Sequence, residues 1–294
     1  MLARDLSESA ISRAIRHELT VQSSTVVYFE YPALARDAQT LVMIHGYRGN
    51  HHGLELIAAG LSKYRVIIPD LPGFGQSAPL SLTHTIESYS NWLYQFVTNL
   101  GIVDRVHLIG HSFGTLIVGH YATKHNPSSI SLINPVSAPA LKGPKASLTA
   151  LTRIFYSIAK SLPTGLGQWL LRNKVAVMVM SVVMTKTKSR QLRSWIHNQH
   201  LRNFSDFATV AVACEGYTAS ISSDLSQFAA QISAPTLVIA ATLDDITSIQ
   251  IQRNVVKLYQ NAQYKEIVGV GHLVHYEAPD QAAAMVSEFL EEQT

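Results

Sequence analysis

The chain has 294 residues, of which 47% are hydrophobic and 15% are charged, and its formal net charge at pH 7 is +3. A chain of this size and composition can bury a full hydrophobic core as one large domain. Its single cysteine, Cys214, excludes an internal disulfide, and its longest apolar run, from Val175 to Met184, is too short to cross a membrane.

The first segment, Met1 to Arg16, carries charged residues throughout and lacks the apolar centre of a secretory signal peptide. We interpret it as a short amphipathic helix that lies on the core or extends the cap. The missing signal peptide and the single cysteine together predict a cytoplasmic protein, with peripheral membrane binding as an open alternative.

Strand and helix patterns alternate along the chain, which is typical of a mostly parallel sheet covered by helices on both faces. The alternation is interrupted between about residue 137 and residue 233, where helix patterns dominate. The predicted strands are 25–30, 41–44, 65–69, 106–109, 129–133, 236–240 and 263–268, and the predicted helices outside the interruption are 54–61, 86–100, 115–125, 249–259 and 279–291.

The segment Gly110-His111-Ser112-Phe113-Gly114 lies between a predicted strand and a predicted helix. Glycines on both sides of a serine at such a junction let the backbone turn sharply, so that the hydroxyl is exposed at the tip of the strand. The pattern predicts a nucleophile elbow with Ser112 as the nucleophile. The alternative is a glycine-rich connection around a buried serine.

A serine hydroxyl needs a base to act as a nucleophile, and the base needs an acid to orient it. His272 and His275 follow the last predicted strand, and Gly271 favours His272 because it leaves the loop free to bring that ring to the serine. Asp244 and Asp245 follow the preceding predicted strand and are the candidate acids. Adjacent aspartates point in different directions, so we expect only one of them to face the histidine.

Four separated motifs carry a family resemblance. They are His45-Gly46-Tyr47, the loop Pro69 to Ser77, the elbow Gly110 to Gly114, and Asp244 followed by the tail Gly271-His272 to Glu277 and Pro279. They resemble those of the α/β-hydrolase fold, in particular of its cap-bearing esterases, epoxide hydrolases and C–C hydrolases. The resemblance covers residues from about 40 to 280 apart from the helical interruption. It implies a mostly parallel sheet flanked by helices, with a helical cap inserted over the serine.

The resemblance implies that Asp244 is the acid, which completes a catalytic triad of Ser112, Asp244 and His272 in the chain order of α/β-hydrolases. Some relatives carry the acid after the preceding core strand, where this chain has Asn134, which cannot serve as a carboxylate. A serine at position 112 argues against haloalkane dehalogenases and epoxide hydrolases, since the resemblance to those enzymes would imply an aspartate there.

An acyl-transfer mechanism also needs donors for the developing oxyanion. The backbone N–H groups of Phe113, at the start of its helix, and of Tyr47 are the expected oxyanion hole. His45 is expected to turn the loop before Tyr47, and His111 to pack beside the elbow.

The predicted domains are a core of residues 1–137 and 215–294 and a helical cap of residues 138–214. Between residues 138 and 205 there are eleven Lys and Arg and no Asp or Glu, which leaves a formal charge of −8 (3 minus 11) for the rest of the chain. Basic residues mixed with Met, Val and Trp suit contact with anionic lipid or acyl chains. A solvated basic face above an ordinary helical core is the alternative, and both remain open.

The resulting prediction is a serine hydrolase of the carboxylesterase or lipase type that cleaves a hydrophobic carboxylic ester or lipid-like substrate through an acyl-enzyme. C–C bond hydrolysis of a ring-cleavage product with the same triad is the alternative, for which Arg190 and Arg193 are candidate partners of a substrate carboxylate. A binding protein without activity is a third class, and the complete set of motifs argues against it.

No cofactor or metal is expected. The chain lacks a phosphate-binding glycine motif, and His45, His51 and His52 do not have the spacing of a zinc site. Nucleic acid is not expected as a partner, because few aromatic residues accompany the basic ones and no groove-reading motif is present.

Overall fold

A single sheet of eight strands lies at the centre of the computed structural model, which describes residues 12–35, 37–139 and 146–293 but not the side chains of 146–148. The strands are β1 (Ile15–Val21), β2 (Ser24–Tyr31), β3 (Thr40–Ile44), β4 (Arg65–Pro69), β5 (Val106–His111), β6 (Ser129–Ile133), β7 (Thr236–Ala241) and β8 (Ala262–Ile267). Their order across the sheet is β1-β2-β4-β3-β5-β6-β7-β8. Strands β3 to β8 are parallel, whereas β1 and β2 pair in antiparallel fashion.

Helices lie on both faces of the sheet and between β6 and β7. They are α1 (Glu55–Gly60), α2 (Ile86–Asn99), α3 (Phe113–Lys124), α4 (Ala146–Ser161), α5 (Thr164–Leu171), α6 (Lys174–Met184), α7 (Arg190–Asn203), α8 (Val210–Ser222), α9 (Ile249–Val255), α10 (Val274–Glu277) and α11 (Pro279–Glu291).

The side chains of the central strands alternate between two hydrophobic cores, one on each face of the sheet. In β3, Val42 and Ile44 belong to the core that includes α2, α3 and α9, whereas Leu41 and Met43 belong to the core that includes α1 and α11. A parallel strand covered on both faces reads as a continuous apolar run, which is why these segments were recognisable in the sequence.

The carboxyl ends of the parallel strands meet at one edge of the sheet. The loops that follow β3, β5, β6, β7 and β8 therefore converge there, although their residues are far apart in the chain. These loops carry, in the same order, Tyr47, Ser112, Asn134, Asp244 and His272.

The α/β class and the mostly parallel sheet flanked by helices are confirmed. The seven predicted strands are β2 to β8, and the five predicted helices correspond to α1, α2, α3, α9 and α11. Strand β1 was not predicted. Ile15 and Arg16 belong to it, so the predicted N-terminal helix is wrong at its end, and its residues 1–11 lie outside the described residues.

The connection from β6 to β7 contains α4 to α8, which we call the helical insertion. Helix α4 packs against α5 and α8, and α6 packs against α7. The predicted boundary between residues 214 and 215 falls within α8, and the division into core and cap stays a prediction. In the described part of the chain, none of the helices has both the length and the hydrophobicity that spanning a membrane requires.

Candidate active site

The sharp turn from β5 into α3 requires glycine on both sides of Ser112. Ser112 adopts φ 52° and ψ −117°, an unusual conformation for a residue with a side chain. A Cβ on Gly114 would lie 2.2 Å from the carbonyl oxygen of Ile44, and a Cβ on Gly110 would lie 2.6 Å from that of Gly114. Both glycines are therefore required by close backbone packing, and the serine is held at the tip of the strand.

Ser112, His272 and Asp244 form one hydrogen-bonded chain. His272 Nδ1 lies 2.8 Å from Asp244 Oδ2, and His272 Nε2 lies 2.7 Å from Ser112 Oγ. A carboxylate can only accept, so Nδ1–H donates to Asp244 and leaves Nε2 to accept the serine hydroxyl. Asp245 forms an ion pair with Lys186 instead, and His275 Nδ1 lies 3.1 Å from a ring nitrogen of His111.

Asp244 is buried and is held by several donors. Besides His272, Asn134 Nδ2 donates to its Oδ2 at 2.8 Å and the backbone N–H of Ile246 donates to its Oδ1 at 2.7 Å. Burial alone would raise the pKa of Asp244, but electrostatic attraction to the His272 ring and these hydrogen bonds outweigh burial and hold the pKa below its usual value. The carboxylate is thus ionised and fixed in orientation at neutral pH.

The loop after β3 lies directly against the elbow. A Cβ on Gly46 would be 3.3 Å from Nδ1 of His111 and 3.4 Å from the Cβ of Ser112, so the loop lies within van der Waals distance of the elbow. His45 fixes this loop, because its Nε2 accepts the N–H of Leu71 at 2.9 Å and its Nδ1–H donates to the carbonyl of Gly46 at 2.8 Å. Burial lowers the pKa of His45, which keeps the ring neutral for both bonds.

Two further histidines lie behind the hydrogen-bonded chain. The Nε2 of His111 lies 3.2 Å from the carbonyl oxygen of His272. Burial, helped by the nearby charge of His272, lowers the pKa of His111 to about 3, and burial lowers the pKa of His275 well below its ordinary value. Both rings therefore stay neutral at physiological pH and hold the His272 loop in place by packing and hydrogen bonds.

Arg48 connects the same loop to the helical insertion. Its guanidinium donates to the carbonyls of Phe204 at 2.9 Å and Leu171 at 2.8 Å and to the hydroxyl of Tyr156 at 3.2 Å. It also lies 4.5 Å from the ring centroid of Phe204, within the range of a cation–π contact. Arg48 is buried and has φ 57°, so a strained residue ties three insertion segments to the loop beside Ser112.

A cavity of about 620 Å³ opens above Ser112 and His272, which are part of its lining. Most of its walls are apolar and come from both the core and the insertion, with Phe155, Val177, Met180, Met184, Ile221 and Ile251 among them. Arg48 and the ion-paired Lys186 and Asp245 supply charge at its border. The space is large enough for a small organic substrate with an apolar group.

The comparisons with known proteins agree with this architecture. The sequence model of the alpha/beta hydrolase fold family matches residues 39–279. The chain belongs to the α/β hydrolase fold family. Lipase 1 of Psychrobacter immobilis is 25% identical over 279 residues, and the match covers 91% of this chain and 83% of the lipase. A 2-hydroxy-6-oxononadienedioate/2-hydroxy-6-oxononatrienedioate hydrolase of Cupriavidus pinatubonensis is 25% identical over 285 residues, with 86% of this chain and 87% of that enzyme covered.

Among solved structures, the enol-lactonase of Burkholderia xenovorans LB400 is similar with a TM-score of 0.77 at 19% identity. The superposition covers 94% of this chain and 100% of the lactonase. The common fold of the α/β hydrolase family therefore extends over almost the whole chain, including the helical insertion.

In this α/β hydrolase, each of the three histidines considered for a metal site has a different partner. His51 Nδ1 lies 2.9 Å from Asp70, and His52 Nδ1 lies 3.0 Å from Glu55, whereas His45 bonds to backbone atoms. Within the described ranges, no group of three or more His, Cys, Asp or Glu side chains is arranged to hold a metal ion.

Sequence reasoning missed two residues of this site. The sequence analysis noted only that Asn134 cannot serve as the acid, although its side chain donates a hydrogen bond to Asp244. The signal was its position after a core strand, where a polar side chain faces the convergent loops. Arg48 carried no motif, and its contacts come from insertion helices whose arrangement the sequence did not reveal.

Proposed function

We propose that this α/β hydrolase is a serine hydrolase that cleaves a hydrophobic carboxylic ester through an acyl-enzyme. The observation that carries the proposal is the hydrogen-bonded chain from Ser112 through His272 to Asp244 at the base of a largely apolar cavity. The similarity to Lipase 1 of Psychrobacter immobilis, which extends over most of this chain, supports the same class of substrate.

In the proposed mechanism, Ser112 Oγ attacks the ester carbonyl carbon while His272 Nε2 takes the hydroxyl proton. Asp244 keeps the proton on Nδ1 and stabilises the resulting imidazolium. Collapse of the tetrahedral intermediate breaks the bond to the alcohol oxygen, which receives the proton from His272. Water then attacks the acyl-enzyme with His272 as base, and the second collapse releases the acid and restores the Ser112 hydroxyl.

The backbone N–H groups of Phe113 and Tyr47 are the proposed donors to the oxyanion in both tetrahedral intermediates. Phe113 is the first residue of α3, where backbone N–H groups have no partner within the helix and the helix dipole favours negative charge. The closeness of Gly46 to Ser112 supports Tyr47 as the second donor, since a Cβ built on Gly46 would lie only 3.4 Å from the Cβ of the serine.

Hydrolysis of a C–C bond is the second candidate, and Arg48 is the observation that favours it. A buried guanidinium that borders the cavity could attract a substrate carboxylate. The similarity to the hydrolase of Cupriavidus pinatubonensis supports the same reading. Arg190 and Arg193, the candidates from the sequence, are exposed and do not appear among the described residues that line the cavity.

The proposal is tested with p-nitrophenyl esters from acetate to palmitate, using the wild type, Ser112→Ala and the matched control Ser81→Ala in an exposed loop. We expect hydrolysis by the wild type and the control, with a maximum at one acyl length, and none above background by Ser112→Ala. Turnover by Ser112→Ala at the wild-type rate would refute the triad. A wild type that reacts with a fluorophosphonate at Ser112 but cleaves no ester would favour C–C hydrolysis.

A further inference from the structure

Two helices of the insertion expose an unusual number of large apolar side chains. Along α4 these are Leu151, Ile154 and Ile158, and along α6 they are Val175, Val179, Val182 and Val183, with exposed fractions from 43% to 71%. We call these seven residues the apolar collar. Single apolar side chains are normal on a protein surface, but several exposed ones grouped on each of two helices are typical of an interaction site.

The spacing of the collar residues shows that they form stripes. Leu151, Ile154 and Ile158 follow one another at intervals of three and four residues, so they lie on one face of α4. Val175, Val179 and Val182 form the same kind of stripe on α6. Other residues of the same helices are buried and anchor them to the protein, among them Tyr156 of α4 and Val177 of α6.

The collar is continuous with the cavity above Ser112. Leu151 of α4 and Val179 and Val183 of α6 are exposed to solvent and also line the cavity. Both stripes therefore reach the lining of this cavity, and we place the cavity entrance beside them. Ile246, half-exposed in the loop after β7, lines the same entrance from the core side.

Exposed basic residues lie at both ends of α6. Lys174 is the first residue of α6, and Lys188 and Arg190 follow its end, all three with exposed side chains. No Asp or Glu occurs between residues 138 and 205, so these helices carry no acidic residue that would repel an anionic surface. Asp245 lies near the entrance on the core side, where it is paired with Lys186.

We propose that the apolar collar docks into the surface of an anionic lipid bilayer, so that the entrance of the cavity faces the membrane. The apolar stripes would enter the boundary between headgroups and acyl chains, while the flanking Lys and Arg contact the lipid phosphates. Delivery of an acyl ester from the bilayer to Ser112 rests on the proposed function, whereas the docking itself does not.

The test is co-sedimentation with vesicles of phosphatidylcholine and of an equimolar mixture of phosphatidylcholine and phosphatidylglycerol. The Ser112→Ala protein is used for these measurements, so binding is separated from any lipid hydrolysis. We expect binding to the mixed vesicles at low salt, weaker binding to phosphatidylcholine, and loss of binding as salt rises.

A collar variant and a matched control identify the surface. The collar variant is Ile154→Ser, Val175→Ser and Val182→Ser, none of which lines the cavity. The control replaces three apolar residues outside the insertion, which are more exposed as a set, by serine. We expect the affinity of the collar variant for the mixed vesicles to be lower by a factor of about ten or more. We expect the control to bind like the parent protein. The control residues are Leu34, Leu82 and Val268, exposed by 64% to 87%.

Two results would overturn the proposal. One is the absence of binding to the mixed vesicles at low salt. The other is equal binding by the collar variant and the control, which would mean that charge alone attracts the protein and that the collar does not enter the bilayer. Thermal unfolding of each variant verifies that the fold is intact before binding is compared.

Discussion

Replacing Asp244 by asparagine preserves the size of the side chain but forces a new arrangement of protons around His272. Asp244 Oδ1 accepts the backbone N–H of Ile246 at 2.7 Å, and Oδ2 accepts His272 and Asn134 at 2.8 Å each. An asparagine has one oxygen and one NH₂ for these two positions. The backbone N–H of Ile246 cannot turn away, so we expect the oxygen at the Oδ1 position and the NH₂ at the Oδ2 position.

The neighbours of the new NH₂ can adapt, and their adaptation removes the base. The Oδ1 of Asn134 has no hydrogen-bond partner among the described residues, so its amide can rotate and accept. His272 can accept on Nδ1 only if its proton moves to Nε2. Nε2–H then faces Ser112 and cannot take the hydroxyl proton. A wrong tautomer of this kind lowers kcat by about four orders of magnitude, or roughly 5 kcal/mol of transition-state free energy.

The assay is kcat on the best p-nitrophenyl ester together with the rate of fluorophosphonate labelling at Ser112, which needs the same base but no particular substrate. Asp245→Asn is the matched control, because Asp245 is adjacent in sequence but pairs with Lys186. We expect both rates to collapse in Asp244→Asn and to change little in Asp245→Asn. Equal losses in the two variants, with both folded by thermal unfolding, would refute the assignment of Asp244.

Two further predictions concern the scaffold of the site. Gly114→Ala would place a Cβ 2.2 Å from a backbone oxygen, so we expect the free energy of unfolding in urea to fall by several kcal/mol and the labelling of Ser112 to be lost. Gly165→Ala is the control, because a Cβ there would have no atom within 4 Å, and we expect it to stabilise the protein by a few tenths of a kcal/mol. Arg48→Met would leave three acceptors in the insertion without their donor, so we expect the free energy of unfolding to fall by about 2–4 kcal/mol. We also expect KM to rise by a larger factor than kcat falls. Unchanged unfolding in urea would contradict the anchoring role of Arg48.

The core could be predicted from the sequence because its local patterns agree with its packing. Strands such as β5 and β7 are buried along their whole length, so they appear as uninterrupted apolar runs. Strand β1 was missed although Ile15, His17, Leu19 and Val21 alternate with polar residues. It is an edge strand with little burial, and its turn into β2 uses Gln22 and Ser23 at positive φ, where an Asn-Gly pair would have signalled a hairpin.

The site divides in the same way. Ser112, Asp244 and His272 could be predicted to lie together because each belongs to a motif with fixed spacing relative to its own strand. The contacts of Asn134 and Arg48 were not found, because each depends on a partner more than a hundred residues away, as their separations of 110 and 156 residues from Asp244 and Phe204 illustrate. Local patterns do not encode such contacts, and the tertiary fold supplies them.

Helix α6 shows why the insertion was the least predictable part and why it matters for function. Its sequence, from Lys174 to Met184, is apolar on nearly every face, so periodicity could not tell which side packs inward. In the structure its faces have three different environments: Val177 and Ser181 are buried, Met180 lines the cavity, and Val175 is exposed to solvent. A helix with a single buried stripe would have left polar residues on the outer face. Packing within the described residues therefore does not explain the apolar outer face, which supports the docking surface proposed above.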